Sequence, residues 1–180
     1  MLQDERRLYR VEELDSLEGE FELDEGILVP VTRPKRLHGR ICMNVGGLLW
    51  SHCRATGQGE VLSNDAGFIL QRGPDTLRGP DVAVIRVERA RELAPDCHPE
   101  GAPDLVVEVI SESNRPGEML RKVGQYLESG ATLVWVIYPE RAQVVVYRSD
   151  GEVELLAQDQ ELTAEPVLKG FHCKVADLFL

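Results

Sequence analysis

Two short segments of this chain are almost wholly apolar, Pro80-Asp81-Val82-Ala83-Val84-Ile85 and Pro103-Asp104-Leu105-Val106-Val107-Glu108-Val109-Ile110. Runs rich in β-branched residues and bounded by Pro and Gly read as strands covered on both faces. From Pro34 to about Cys53 the pattern changes period. Leu37, Ile41, Val45, Leu48, Leu49 and His52 recur three to four apart, which predicts an amphipathic helix opening near a proline. Gly46-Gly47 weakens it by about 2 kcal/mol relative to alanines, so close backbone packing or a bend is expected there. Met119, Leu120, Val123, Tyr126 and Leu127 form a second helical stripe that Gly130 ends, with Ser111, Ser113 and Asn114 as candidate N-caps and Pro116 suited to the first turn.

Shorter elements fill the remainder. Glu20 to Leu23 and Ile27 to Val31, joined by Asp24-Glu25-Gly26, predict a hairpin in which Gly26 supplies the positive φ of a three-residue loop, and Glu22 falls in its first strand. Glu60 to Gln71 reads as one or two strands turning at Asn64-Asp65-Ala66-Gly67. A tetrapeptide then repeats, as Arg72-Gly73-Pro74-Asp75 and Arg78-Gly79-Pro80-Asp81. Only the second copy leads into an apolar strand, so Asp75 is expected in a loop and Asp81 at a strand mouth. Val87 to Ala102 is a charged excursion; Thr132 to Tyr138 and Gln143 to Tyr147 predict a strand pair turning over Pro139 to Ala142. The order of elements predicts an α/β (α+β) fold, a mixed β-sheet flanked by helices with an N-terminal hairpin. One domain over 1–180 is expected, with 1–19 as a peripheral N-terminal segment that has a helical cast through Leu17.

Composition narrows the partners. The hydrophobic share of 43% suits a chain that buries a core. No apolar run approaches the roughly 20 residues of a membrane span, and the start, Met-Leu-Gln-Asp-Glu-Arg-Arg, has no signal-peptide core, so no membrane and a cytoplasmic location are expected. Four cysteines without a CxxC pair read as reduced thiols. A net charge of −11 is the wrong sign for a general nucleic-acid binder. Its distribution is uneven. Residues 1–32 carry ten acids and three bases, 33–59 carry five bases and no acid, and 60–180 carry 21 acids and 12 bases. A phosphate backbone would meet one basic segment on an acidic body.

Glu108 is the most demanding residue. Flanked by Val107 and Val109, an unpaired carboxylate would cost several kcal/mol, so a positive partner must meet it. A divalent metal shared with Asp81 is the most economical candidate, because hard cations take carboxylate oxygens and neighbouring strands lie about 4.8 Å apart. Lys122 borders the apolar stripe between Met119 and Tyr126, and a helix over the Glu108 strand would aim its ammonium at both acids. Structural readings stand beside these: Asp81 as a turn cap, Lys122 as a snorkelling surface residue, Glu108 paired with an arginine. No phosphate-binding glycine loop, His-Glu-x-x-His or Gly-x-Ser-x-Gly is present. Cys97-His98, His172-Cys173, Cys42, His52 and Cys53 match no zinc spacing. Trp50 and Trp135 sit in apolar stripes and are expected in the core.

Asp81 in Pro-Asp, Glu108 in an apolar strand and a helix after it resemble the PD-(D/E)XK nuclease core. More narrowly, the chain resembles the Uma-two family of restriction-endonuclease-like proteins. The likeness runs through Glu22-Leu23-Asp24-Glu25-Gly26, His38, Pro80-Asp81-Val82-Ala83, Pro103 to Ser111, Lys122 with Tyr126 and Gly130, Val134-Trp135-Val136, and Pro166-Val167-Leu168-Lys169-Gly170-Phe171. The general nuclease motif has lysine two residues after the acid, where this chain has Ile110. The resemblance implies that Lys122 takes that part from the following helix. It further implies a Mg²⁺- or Mn²⁺-dependent endonuclease acting on DNA, Asp81 and Glu108 as metal ligands, Glu22 and His38 bordering the pocket, and a homodimer by analogy with many such nucleases. The alternative, motivated by the net charge and by Ile110, is a non-catalytic acidic interaction or scaffold module that keeps the nuclease core; hydrolysis of another phosphate ester comes third.

Overall fold

The computed structural model describes residues 7–111 and 115–180. A 3-10 helix over Val11–Ser16 precedes a hairpin of β1 (Phe21–Asp24) and β2 (Ile27–Pro30). Its register pairs Asp24 with Ile27, so the loop is Glu25-Gly26 alone, two residues instead of the expected three. Both have positive φ, 51° and 80°, the conformation whose twist matches the flanking strands. Helix α1 (Arg36–Thr56) follows. It buries Ile41, Val45, Leu49 and Cys53 at every fourth position and ends at Gly57, whose φ of 70° lets its N–H reach the Cys53 carbonyl at 2.8 Å. The helix runs unbroken through Gly46-Gly47. Gly46 lies against the sheet, where a Cβ would sit 3.7 Å from the Val82 side chain. Trp50 departs from its expected place in the core. It is one residue, hence about 100° of helix, beyond Leu49, and it stands 55% exposed with the Arg54 guanidinium over its ring.

Then come β3 (Gly59–Ser63), β4 (Phe68–Gln71), β5 (Thr76–Arg78), β6 (Val82–Arg86), the short α2 (Val87–Ala90), β7 (Leu105–Val109), α3 (Pro116–Glu128), β8 (Leu133–Tyr138), β9 (Gln143–Arg148), β10 (Val153–Leu156), β11 (Glu161–Thr163), β12 (His172–Lys174) and a 3-10 helix over Val175–Phe179. Six strands make the main sheet in the order β10-β9-β8-β7-β6-β3, and four make a second sheet, β2-β1-β5-β4. Within the main sheet only β7 and β8 pair in parallel, and α3 is the crossover between them. All five residues of β7 are buried, which explains its unbroken apolar run. Alternate side chains feed two cores. Val82, Val84, Leu105 and Val107 pack with α1 and the C-terminal segment, while Ala83, Ile85 and Val106 pack with Met119, Val123 and Tyr126 of α3.

The N-cap of α3 is Arg115, with Pro116 in its first turn; the candidate caps Ser113 and Asn114 lie outside the described residues. Leu120 leaves the stripe and is exposed. The repeated tetrapeptide turns out to precede a strand in both copies. Asp75 stands in the turn before β5, buried, and its carboxylate accepts the N–H of Val11 at 3.0 Å, that of Gly73 at 3.2 Å, and Arg72 at 2.9 Å. The second copy is the crossing between sheets: Arg78 closes β5, and Gly79-Pro80-Asp81 lead into β6. Among the described residues no helix is long and apolar enough to cross a membrane.

Candidate functional site

The pairing of β6 with β7 sets Val82 against Val107 and Ala83 against Val106; one step further along the same register places Asp81 opposite Glu108. Asp81 lies before the ladder proper, and its Oδ2 accepts the N–H of Val109 at 2.6 Å in place of a backbone carbonyl. Glu108 is 5% exposed. Its Oε1 accepts the Tyr126 hydroxyl at 2.8 Å and meets Lys122 Nζ at 3.0 Å, both delivered from the inner face of α3. The crossover helix does return across the strand, so the lysine that stands at no position of β7 still reaches its acid.

Lys122 is shared. Its Nζ is also 2.9 Å from Glu22 Oε1, which accepts the Gly79 N–H at 3.0 Å as well. The other Glu22 oxygen takes Arg78 at 3.0 Å, and Arg78, itself buried, also reaches Asp24 at 3.1 Å and Gln125 at 2.9 Å. Register explains the meeting, because Leu23 pairs with Leu77 and thereby sets Glu22 opposite Arg78. On the other side of the cleft His38 Nε2 lies 3.2 Å from Asp81 Oδ1, while its Nδ1 faces the Cys42 thiol at 3.4 Å, one turn along α1. All five residues expected from the sequence, Asp81, Glu108, Lys122, Glu22 and His38, line one cleft of about 890 Å³.

Charge is distributed unevenly around these groups. Burial pushes the Glu108 carboxyl up to about 7, with Asp81 and Glu22 adding to the rise and Lys122 opposing it. Burial acts on Glu22 in the same direction, but Lys122, Arg78 and the Gly79 N–H outweigh it and hold that carboxyl below its usual range. Of these two, Glu108 is the carboxylate whose charge is less compensated. Lys122 is desolvated, which favours loss of its proton, yet Glu108 and Glu22 more than offset this and raise it. The hydrogen bond to Asp81 raises His38. Asp65, positioned by a turn at φ 55°, joins the cleft wall; burial, then the charge of Asp81, raises its carboxyl. Cys42, His38 and Asp81 follow one another in the manner of a nucleophile, base and acid. The thiol is nevertheless pushed strongly up by burial and by Asp81 and Asp65, so it stays protonated and is no nucleophile.

Several of these residues carried no functional reading beforehand. Arg78 and Gly79 belong to the repeated tetrapeptide, whose second copy uses every side: Arg78 neutralises Glu22, and Gly79 passes so close to the Asp65 carbonyl that a Cβ would lie 2.5 Å from its oxygen. The repeat was the available signal. Asp65 had none, being an ordinary turn residue, and Cys42 had only its place one helical turn after His38.

Acidic groups and exposed bases together define what the cleft can hold. Glu22, Asp65, Asp81 and Glu108 all line the cleft, and so do the exposed Arg33, Lys35 and Arg141. Two carboxylates opposed across neighbouring strands, with more negative charge than the adjacent cations neutralise, suit a hard divalent cation.

The chain superposes with a TM-score of 0.80 on a solved structure from Anabaena variabilis, described as "a putative nuclease belonging to DUF820", at 20% identity and covering 93% of this chain and 96% of that one. Such a likeness speaks for the fold. No match is found among curated proteins. Residues 7–176 match the family model Uma2, described as "Putative restriction endonuclease", and the chain belongs to that family.

Proposed function

We propose that this protein is a metal-dependent endonuclease that hydrolyses phosphodiester bonds of DNA, with Asp81 and Glu108 as ligands of Mg²⁺ or Mn²⁺ and Lys122 as the positive catalytic group. The observation that carries the reading is the buried Glu108 set opposite Asp81 with Lys122 Nζ 3.0 Å away, all on the floor of one open cleft. A divalent ion bound there would supply Lewis acidity toward a phosphoryl oxygen and toward water.

The chain's own groups then have distinct parts. Lys122, raised by its two acids, remains an ammonium at neutral pH. It acts as a hydrogen-bond donor and fixed charge toward a phosphoryl oxygen, not as the base. Glu22 and Arg78 keep that ammonium at the inner end of the cleft. Tyr126 fixes the Glu108 carboxylate, and the Val109 N–H with His38 fixes that of Asp81. The exposed Arg33, Lys35 and Arg141 of the cleft suit a polymer with a charged backbone, whereas a small phosphate ester would use only the floor.

Supercoiled DNA incubated with the purified protein and Mg²⁺ or Mn²⁺ tests the proposal. Nicking is expected that chelation stops and that Glu108→Gln and Lys122→Met each reduce at least 100-fold, on the order expected when one stabilising group is removed from a transition state. Calorimetry with Mn²⁺ gives a second readout, binding lost in Asp81→Asn. A protein that neither nicks any DNA form nor binds the ion favours the scaffold reading.

A further inference from the structure

The wall of the cleft formed by α1 carries a donor set of a different kind. His38 and Cys42 stand four residues apart on one helical face, and Asp81 meets them from the mouth of β6. One ligand atom from each of the three lies within 4.8 Å of the other two. In a tetrahedral zinc site, bonds of about 2.3 Å to sulfur and 2.0 Å to nitrogen or oxygen hold ligand atoms roughly 3.3–3.7 Å apart. Because Nε2 faces Asp81 and Nδ1 faces Cys42, closing that gap of about an ångström means turning the imidazole so that one nitrogen serves the shared ion. All three side chains are partly exposed; His38 and Asp81 line the cleft, and Cys42 lies one helical turn behind His38.

The chemistry of the set is selective. Magnesium takes oxygen ligands, whereas sulfur and imidazole together suit zinc, cobalt and their neighbours. The surroundings are short of positive charge, since Asp65 and Asp81 both face Cys42. A coordinated divalent ion displaces a thiol proton outright, which converts Cys42 from an inert donor into a ligand. Glu108 is no part of this set, yet Asp81 belongs to both.

We propose that His38, Cys42 and Asp81 form a second, thiophilic metal position that takes a zinc-class ion, and that filling it withdraws Asp81 from Glu108 and silences the cleft. The silencing rests on the nuclease reading; the binding does not.

Cobalt(II) titration of the full-length protein tests the binding, in a Cys97→Ser background because Cys97 is exposed beside His98. A thiolate-to-cobalt charge-transfer band that saturates at one equivalent and is bleached by one equivalent of zinc is expected. Cys42→Ala loses the band and weakens zinc by more than about tenfold, given that even outer partners of a metal site are worth roughly 10–100-fold. Cys42→Ser, with a circular dichroism spectrum matching the parent, loses the band too, and Glu108→Gln keeps it. No band in the parent, or a band that survives Cys42→Ala, overturns the site. In Mg²⁺-supported nicking, one equivalent of zinc stops the parent and spares Cys42→Ala; equal inhibition of both overturns the silencing. Absence of nicking under every condition overturns the nuclease reading and leaves the cobalt band to decide the zinc site.

Discussion

Replacing Glu108 by Gln is expected to stabilise the metal-free protein. The amide oxygen still accepts the Tyr126 hydroxyl and Lys122, and the shape of the buried group is kept, but the charge is gone. Burial moves the carboxyl from its ordinary 4.5 to about 7, and this position already includes the attraction of Lys122. Between those values the folded protein keeps a proton that the unfolded chain has released, so stability falls as pH rises through the window and the loss is complete above about 7. At about 1.4 kcal/mol per pH unit, the charge opposes folding by about 3 kcal/mol. For a chain of this size that corresponds to a rise in Tm of roughly 8 °C in Glu108→Gln at pH 8. The gap should shrink to under about 1 kcal/mol at pH 5. Urea melts with EDTA at the two pH values measure it. A variant less stable than the parent at pH 8, or a gap that does not change with pH, refutes the claim that the unfilled site holds an under-compensated carboxylate.

Other consequences are equally direct. Arg78→Met leaves Glu22 and Asp24 without their shared guanidinium and is expected to cost about 3–5 kcal/mol in chemical denaturation; Arg78→Lys recovers little, because an ammonium does not span three acceptors in a plane. Gly79→Ala drives a Cβ into the Asp65 carbonyl and should lower stability by more than about 2 kcal/mol in the same assay, without any change of charge. Asp75 is held below its ordinary 3.8 because, against its burial, the Val11 and Gly73 N–H groups and Arg72 favour the ionised form. The stability it contributes is present above pH 3.8 and is lost as pH falls through the lower folded value. Asp75→Asn should therefore flatten the acid limb of the stability profile below about pH 4, and an unchanged limb would contradict the assignment.

How much of this was legible in the chain depends on the range of the interaction behind each residue. Glu108 announced itself, since a carboxylate inside a valine run is an energetic anomaly whatever surrounds it. Lys122 followed from helical spacing, and Asp81 from the strand it leads into. The hairpin, both long helices and the strand pair after Gly130 were readable because local periodicity and turn chemistry dictate them. Trp50 was misplaced because one residue of helical offset separates the core stripe from solvent, and a pattern containing Leu48, Leu49 and Trp50 does not choose among them. Arg78, Gly79 and Asp65 stayed hidden for a different reason. Their roles arise where the chain passes from one sheet to the other, and no local signal says that residues 22, 65 and 79 meet.

That crossing has one more consequence. Glu22 belongs to the smaller sheet, Glu108 to the larger, and Lys122 grips both. The charges that would do chemistry are also the clasp between the layers. An incompletely assembled molecule, with its hairpin undocked, has an ammonium answering to one acid instead of two, and the enclosure gapes on the side that Glu22 and Arg78 should close. Completion of the fold and assembly of the cleft are the same event.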